Sequence, residues 1–402
     1  MTQLPVIRTC ALAFGIAFSL CAIPSFGADR SVDLADDTDT ESPSEAFGGR
    51  EAIAPPNIKA RLLQQRQFIQ QNNLPFSIGV TSATDRPLPP IRMAPDVKTR
   101  TLQSMQRQNE EALRVLQAEN IPSVEQIMLQ RQLQPMSPPL QINPQLQIRP
   151  RGIPGEESQT APSVDGEVGS RAVAAPCASR SSFVYQQGNG QALSPIRDQK
   201  QCGSCWSFAG ASIVESSKRI RYGGVANISE QELIDCAGGL ANGLIDGCNG
   251  FFVEDTMLHM QFDGVARESV YPAYQAKDRG TCSNPAYRYK VTTWGWVAIG
   301  IANVQQIKTA LCLYGPVATS IEATNLFLDY TGGVFQQKPN SSYGPIPGVN
   351  HAIVIVGWDD AKGAWRVRNS WGTGWGENGN AWVKYNHNAI GWDTVWAVAK
   401  RP

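Results

Sequence analysis

The stretch Gln199-Lys-Gln-Cys-Gly-Ser-Cys-Trp-Ser-Phe-Ala209 joins a turn-rich segment to the start of a predicted helix. Cys205, its second cysteine, is predicted to lie in the first turn of that helix. The N-terminus of a helix carries partial positive charge, which favours a thiolate over a thiol. Because the thiolate is the nucleophilic form of cysteine, this position prepares Cys205 for attack on a carbonyl carbon.

A cysteine nucleophile needs a base, and the chain contains three histidines, at positions 259, 351 and 387. His351 opens the apolar run Ala-Ile-Val-Ile-Val, 146 residues after Cys205. His259 falls in a predicted helix and His387 in a polar run, where core or surface roles are more common. His351 is therefore the predicted base.

The run Cys-Gly-Ser-Cys-Trp resembles the signature of papain and cathepsin-type cysteine peptidases, in which the histidine follows about 130–150 residues downstream. The segment Arg368-Asn-Ser-Trp-Gly-Thr-Gly-Trp-Gly-Glu-Asn378 is similar to the asparagine segment of this family. The resemblance implies that Asn369 holds His351 in one tautomer. It also implies that Trp371 shields their hydrogen bond from water.

The family stabilises the oxyanion of acyl transfer with two donors. Gln199, six residues before Cys205, matches the glutamine whose side-chain amide is one donor, and the backbone N–H of Cys205 is the other. The implied function is that of a secreted cysteine endopeptidase made as an inactive precursor, acting without cofactor or metal. An acyl transferase (transpeptidase) would use the same site, and a catalytically inactive binding homologue is disfavoured because all four residues are intact.

The chain departs from the family beside the predicted cleft, where Cys-Asn-Gly-Gly is usual and Cys248-Asn-Gly-Phe251 stands here. The missing glycine pairs with substrate through its backbone, and Phe251 must also place a bulky ring. The resemblance implies substrate contacts at Gly250, Phe251, Phe252, Val253, Val349, Asn350, Ala352 and Trp371. The apolar members of this set favour an apolar or aromatic side chain two residues before the cleaved bond.

The chain has nine cysteines, most of them after position 176, which is typical of an oxidising compartment. By resemblance, Cys202 pairs with Cys248 and Cys236 pairs with Cys282. Two cysteines match no widespread family pair, so they either bridge to each other or remain unpaired thiols; they are Cys177 and Cys312.

Composition limits the range of partners. The chain has 35 basic and 35 acidic side chains and a pI near 6.8, which argues against a nucleic-acid partner. An uncharged run over residues 10–27 follows Arg8 and ends in small residues, as in a secretory signal peptide. We expect protein or peptide substrates, a periplasmic or extracellular location, no membrane anchor in the mature form, and a monomer.

Three regions follow from these patterns: a signal peptide over residues 1–27, a partly disordered propeptide and linker over 28–176, and a peptidase domain over 177–402. Residues 28–56 are predicted to be disordered, and helices are predicted over 57–73 and 97–119, with a short strand over 76–80. Residues 131–176 are rich in Gln and Pro and are typical of an extended linker, either a plain spacer or a propeptide tail crossing the cleft.

The predicted peptidase domain begins with helices at 205–222 and 229–234. Strands are predicted later, over 315–321, 351–357, 364–368 and 380–384. This order indicates an α+β fold of two lobes, one helical and one an antiparallel β-barrel-like sheet, with the active cleft between them.

Overall fold

The computed structural model describes residues 43–88, 101–133, 176–187, 191–237, 247–283, 288–337 and 348–401. The helices of these ranges are α1 Pro43–Ile53, α2 Pro56–Gln71, α3 Leu102–Ala118, α4 Val124–Leu133, α5 Cys205–Tyr222, α6 Glu230–Cys236, α7 Val253–Phe262, α8 Val304–Tyr314 and α9 Asn325–Leu328. In this part of the chain, no helix combines the length and the apolar character that crossing a membrane requires.

The helix that carries Cys205 begins and ends where the sequence predicts, over α5. The helix predicted next is also present as α6, and the side chain of Ser229 caps it by accepting a hydrogen bond from the N–H of Glu232. In contrast, α1 lies within a stretch that was expected to be disordered. Its glycines disfavour a helix, but Arg50 donates to the Gly374 carbonyl at 2.7 Å, so tertiary contact overrides propensity.

The strands of the described residues are β1 Phe76–Ile78, β2 Ser182–Val184, β3 Val265–Ala266, β4 Arg288–Tyr289, β5 Val291–Trp296, β6 Val317–Ile321, β7 Tyr330–Phe335, β8 His351–Asp359, β9 Ala364–Arg368, β10 Asn380–Lys384 and β11 Trp392–Ala399. Nine of them form one sheet in the order β1-β7-β10-β9-β8-β6-β11-β5, with β2 pairing to β8.

This sheet is antiparallel, as expected, except at one pair of strands that makes it mixed. Strands β7 and β10 run parallel, with Trp382 opposite Val334, whereas the other pairs of the sheet are antiparallel. The chain passes through β8 and β9 between these two strands, so β10 returns beside β7 in the same direction. Strand β8, which begins at His351, is central in the order and is buried over all but its last residue.

The segment that precedes the C-terminal unit (residues 177–402) packs against that unit at two places. Residues 43–88, here called the N-terminal segment, add β1 to the edge of the sheet at β7, with Phe76 opposite Gly333. Residues 101–133, called the helical pair, place α3 against β5 and α4 against α5 and α8. Helix α3 therefore covers the far edge of the sheet, at β5.

Three disulfides join parts of the C-terminal unit. Cys202 is bonded to Cys248, as the resemblance implied, and so is Cys236 to Cys282. The remaining two cysteines, Cys177 and Cys312, are bonded to each other rather than being unpaired thiols. Cys205 is the free cysteine among the described residues. The predicted signal peptide and most of the predicted linker, at 134–175, lie outside the described residues.

Candidate active site

Cys205 is the first residue of α5 and is buried, with 5% of its surface exposed. The residue before it, Ser204, is fully buried and holds the first turn, because its carbonyl accepts the N–H of Ser207 at 2.9 Å. The backbone N–H groups of Ala352, Trp206 and Cys205 face the thiol and act to lower its pKa. The nucleophile is thus placed between the start of α5 and the start of β8.

His351 lies at the first position of β8, and Asn369 follows the last residue of β9. These adjacent strands bring the imidazole Nε2 to 2.8 Å from Oδ1 of Asn369. The ring of Trp371 stacks on the imidazole, with centroids 4.5 Å apart and planes 26° apart. Both His351 and Asn369 are 4% exposed, so the indole and the sheet keep water away from their hydrogen bond.

The hydrogen bonds define the imidazole tautomer. Oδ1 of Asn369 also accepts the backbone N–H of Ser370 at 2.8 Å, which identifies that atom as the amide oxygen. The Nε2 of His351 therefore donates to it, and the neutral ring carries its proton on Nε2. The other nitrogen, Nδ1, is buried and has no hydrogen-bond partner within the described ranges. A neutral Nδ1 is an acceptor, so it is the atom able to take a proton from a thiol.

Burial governs the protonation of both groups in this structure. It raises the pKa of the Cys205 thiol to about 11, although the surrounding backbone N–H groups lower it. It lowers the pKa of His351 to about 4, against the hydrogen bond to Asn369, which raises it. Each group taken alone is therefore neutral near pH 7. Transfer of the thiol proton to the imidazole would give a thiolate–imidazolium pair, in which each charge would stabilise the other.

Gln199 lies beside this pair and is held at both ends of its side chain. Its Nε2 donates to the Cys202 carbonyl at 2.9 Å, and its Oε1 accepts the hydroxyl of Ser370 at 2.6 Å. A primary amide has two N–H donors, so one donor remains after the bond to Cys202. The fixed orientation of the side chain is what a preorganised oxyanion donor needs.

Two residues of this network were not singled out from the sequence. The hydroxyl of Ser370 donates to Gln199 and its backbone N–H donates to Asn369, so this residue links the two side chains. Its position in the asparagine segment was the signal that could have identified it. Tyr274 donates to the Gln199 carbonyl at 2.6 Å and lies 2.9 Å from the Ser204 hydroxyl. Tyr274 carries no local signal, because its partners lie about 70 residues away in the sequence.

The predicted substrate positions have different environments. The ring of Phe251 packs edge-on against Trp206, with centroids 5.6 Å apart, and also contacts Phe252. Gly250 has φ +93°, a conformation that favours glycine, and it sets the direction of the chain entering Phe251. Val253 and Ala352 are buried, and Val349 is half-buried.

Asn350 differs from the others because its side chain is already engaged. Its Oδ1 accepts the N–H of Ala323 at 2.8 Å, and its Nδ2 donates to the Ala323 carbonyl at 3.0 Å. The amide therefore pairs with backbone as a neighbouring strand would. Any contact of Asn350 with a substrate must come from its own backbone.

The N-terminal segment reaches the rim of this site. The N–H of Ser82 donates to the Gly374 carbonyl at 3.1 Å, and its hydroxyl donates to the Trp371 carbonyl at 2.6 Å. Arg86 pairs with Asp198 at 2.6 Å and donates to the Lys200 carbonyl at 2.8 Å. The charge of Arg86 also lowers the pKa of His351 further.

Comparison with known proteins identifies the class of this fold and site. Residues 181–398 match the family described as papain family cysteine protease. This match covers more than half of the chain, and the chain belongs to that family. The family and the combination of helices with a mixed sheet confirm the predicted α+β fold of two lobes.

The chain is similar to characterised members of the family. It is 36% identical over 201 residues to digestive cysteine proteinase 1 of Homarus americanus, an alignment covering 49% of this chain and 60% of that protein. It is 34% identical over 205 residues to pro-cathepsin H of Mus musculus, covering 50% of this chain and 60% of that one. The chain thus spans about 60% of the length of these relatives.

Among solved structures, the chain resembles digestive procathepsin L 3 of Tenebrio molitor larval midgut. The sequence identity is 28% and the TM-score is 0.48, over 56% of this chain and 72% of that chain. A cysteine protease of Carica candamarcensis in complex with E-64 gives 29% identity and a TM-score of 0.44, over 52% of this chain and 95% of that one.

Proposed function

We propose that this chain is an exported cysteine endopeptidase, made as an inactive precursor, whose reaction uses Cys205, His351, Asn369 and Gln199. One observation carries the proposal. The Nε2 of His351 donates to Asn369 at 2.8 Å, while its buried Nδ1 has no partner in the described ranges. On the same strand, the N–H of the next residue, Ala352, faces Cys205.

Each step of peptide hydrolysis then has an assigned group. Nδ1 of His351 takes the thiol proton, and the sulfur of Cys205 attacks the carbonyl carbon of the substrate. The amide of Gln199 and the N–H of Cys205 stabilise the oxyanion that forms. The imidazolium returns the proton to the leaving amine, and a water molecule deprotonated by Nδ1 hydrolyses the acyl-enzyme.

The substrate class follows from the same positions. Val253, Ala352 and Val349 are apolar, and we assign to them the side chain two residues before the cleaved bond. The ring of Phe251 is held by Trp206 rather than projecting freely, so its backbone N–H and C=O remain the groups that pair with the substrate. We expect an apolar or aromatic residue to be preferred at that substrate position.

The regions before residue 177 have separate roles in this proposal. Residues 1–27 form a signal peptide, which places the enzyme outside the cytoplasm, and residues 28–176 form the propeptide and linker of the 177–402 peptidase. The contacts of Ser82 and Arg86 at the rim of the site support inhibition by the N-terminal segment. Cleavage between Arg151 and Ser182 would cut the chain between the propeptide and the mature enzyme, which we expect to contain one catalytic chain.

The proposal is tested by peptide hydrolysis with a matched set of variants. Cys205→Ala and His351→Ala should each lower kcat/KM by more than about 10⁴-fold while secretion and folding persist. Asn369→Ala removes orientation but no reacting group, so a loss of about 10–100-fold is expected. The control is His387→Ala, a histidine whose Nδ1 faces the Tyr385 carbonyl at 2.9 Å and which should leave the rate unchanged.

The same assay distinguishes the alternatives. If an added amine diverts most of the acyl-enzyme to an amide product, the enzyme is an acyl transferase that uses the same residues. If the activated wild-type protein shows no turnover and Cys205 is not acylated by any peptide ester, the chain is a binding homologue and the proposal is wrong.

A further inference from the structure

The far edge of the sheet, at β5, is unusually rich in tryptophan. Its sequence Val-Thr-Thr-Trp-Gly-Trp ends the strand order opposite to β7. Trp294 and Trp296 are 1% and 7% exposed, and their rings lie 4.9 Å apart. An uncovered edge strand with two large aromatic residues is a site for pairing with other chains and for aggregation.

Helix α3 closes this edge with side-chain amides. Oδ1 of Asn109 accepts the N–H of Trp296 at 2.8 Å, and its Nδ2 donates to the carbonyl of the same residue at 3.2 Å. Nε2 of Gln108 donates to the Trp294 carbonyl at 2.9 Å. The Asn109 amide thus supplies the donor and acceptor that a neighbouring strand would supply. Close approach requires Gly295, where a Cβ would lie 2.7 Å from Asn109 Oδ1.

The rest of the helical pair is anchored by burial rather than by ion pairs. Ala112 of α3 and Val124 of α4 are fully buried, and Met105 is 8% exposed. The Pro122 carbonyl accepts Arg221 at 2.7 Å. Oε1 of Glu125 accepts the backbone N–H of Cys177 at 2.8 Å, which ties α4 to the start of the C-terminal unit.

The contacts of α3 and α4 are made to β5, α5 and α8. The described contacts at the rim of the active site come from the N-terminal segment instead, at Ser82 and Arg86. Release of the helical pair would expose two tryptophans and leave three backbone groups at β5 without their partners. Release of the N-terminal segment would instead expose the glycines of β7 and the ring of Phe335, on which Phe76 packs.

We propose that the helical pair is not released on activation: residues 101–133 remain bound to the C-terminal unit as a noncovalent chain that covers the β5 edge. Cleavage at both of its ends frees the N-terminal segment and cuts the covalent link, but the helical pair stays. The mature protein is then a complex of two chains. This goes beyond the proposed proteolytic function and does not depend on catalysis by Cys205.

The test uses the full-length Cys205→Ala precursor, nicked by limited trypsin digestion. Trypsin sites lie on both sides of the helical pair, at Arg92, Lys98 and Arg100 before it and at Arg151 and Arg171 after it. Because this variant cannot process itself, the outcome is independent of whether the proposed function is correct. Gel filtration and native mass spectrometry should show the fragment containing residues 101–133 bound to the C-terminal unit in equal amounts.

A substitution tests the contact itself. Asn109→Asp replaces a donor with an acceptor that faces the Trp296 carbonyl, so the nicked fragment should dissociate at least ~10-fold faster. The control is Gln106→Glu, which adds the same charge on the exposed face of α3 and should leave retention unchanged. If Asn109→Asp does not fold, retention of the fragment in the nicked Cys205→Ala precursor, with Asn109 unchanged, still tests the proposal. A fragment that elutes apart from a soluble C-terminal unit, or that trypsin degrades completely, would overturn the proposal.

Discussion

Both edges of the sheet are covered by segments that precede residue 177, but the contacts at the two edges differ in their chemistry. At β7 the cover is another strand, β1, supported by arginines that reach carbonyl and carboxylate oxygens, such as Arg61 on Asp329 at 2.9 Å. At β5 the cover is helix α3, which fits its amide side chains to the backbone and buries aromatic rings. Both covers bury apolar side chains, such as Leu62 at the first and Ala112 at the second. The first cover also depends on charged contacts, which salt and pH affect, whereas the second adds hydrogen bonds from uncharged amides.

Glycine permits the close approach at each edge. Gly333 has φ +90°, and a Cβ there would lie 2.4 Å from the Pro75 carbonyl oxygen, so the strand can dock only on glycine. Loss of β1 would uncover the glycines of β7 and also the ring of Phe335, which lies 4.9 Å from the ring of Phe76. The edge at β5 would lose the cover of two tryptophans and three backbone hydrogen bonds. The described contacts at the rim of the active site come from the N-terminal segment, so we assign the inhibitory role to that cover and the permanent role to the helical pair.

The largest effect is expected from a charge buried under the helical pair. Ala112→Asp places a carboxylate at a fully buried position of α3, and an unpaired buried charge destabilises by about 3–5 kcal/mol. The yield of soluble precursor should collapse, or the helical pair should detach. The matched control is Ala118→Asp, at an exposed position of the same helix. Equal thermal stability of the two variants would contradict the permanent role of this contact.

A smaller effect is expected at the other edge when Arg61 is removed. Asp329 is fully buried and forms an ion pair with Arg61. Arg61→Ala should therefore weaken inhibition by an added fragment of residues 28–100 about 30-fold, equivalent to about 2 kcal/mol. Lys59→Ala is the control, since that lysine is exposed and donates to the Ala52 carbonyl of its own segment. The inhibition constant is measured with the mature enzyme and a peptide substrate. An unchanged inhibition constant for Arg61→Ala would show that this ion pair does not hold the N-terminal segment at β7.

The pair of Arg86 and Asp198 gives the smallest effect and a pH signature. Burial acts to raise the pKa of Asp198, but hydrogen bonds from Lys200 and Arg86 outweigh it and hold the pKa below its ordinary value of 3.8. A carboxylate with a lowered pKa contributes stability above its ordinary pKa and loses it as pH falls through the lowered one. Arg86→Ala should therefore weaken fragment binding about 10-fold.

This deficit should be constant from about pH 5 to about pH 8 and should disappear only below the ordinary pKa of Asp198. Calorimetry measures it, by following the binding of a fragment of residues 28–100 to Cys205→Ala protein from which the N-terminal segment has been removed. Asp198→Asn should show the same deficit without the pH dependence. A deficit that vanishes at pH 6 would assign the acid sensitivity to another carboxylate.

The sequence predicted the catalytic part of the fold better than its surroundings. Helix α5 and strands β9 and β10 have the predicted bounds, because each combines a strong periodic pattern with clear ends. Strand β7, Tyr-Thr-Gly-Gly-Val-Phe, was missed because adjacent glycines indicate a turn, yet they are needed for β1 to dock. Helix α1 was missed for the same reason, as its glycines are overridden by contacts with distant residues.

Contacts between distant residues account for the rest. The cover of β5 by Asn109 joins residues 187 positions apart, and nothing in either local pattern indicates the pairing. Likewise, the role of Tyr274 in holding Gln199 depends on a hydrogen bond across 75 positions. The predicted nucleophile, base and orienting residue did not require such information, because their motif fixes residue type, order and spacing together.

Hydrogen exchange at two backbone amides tests the difference between the edges most directly. The N–H of Val334 donates to the Pro75 carbonyl at 2.8 Å in β7, and the N–H of Trp296 donates to Asn109 at 2.8 Å in β5. After activation and gel filtration, we expect Val334 to lose its protection and Trp296 to keep it. Loss of protection at both amides, in an enzyme that remains soluble and monomeric, would contradict the account.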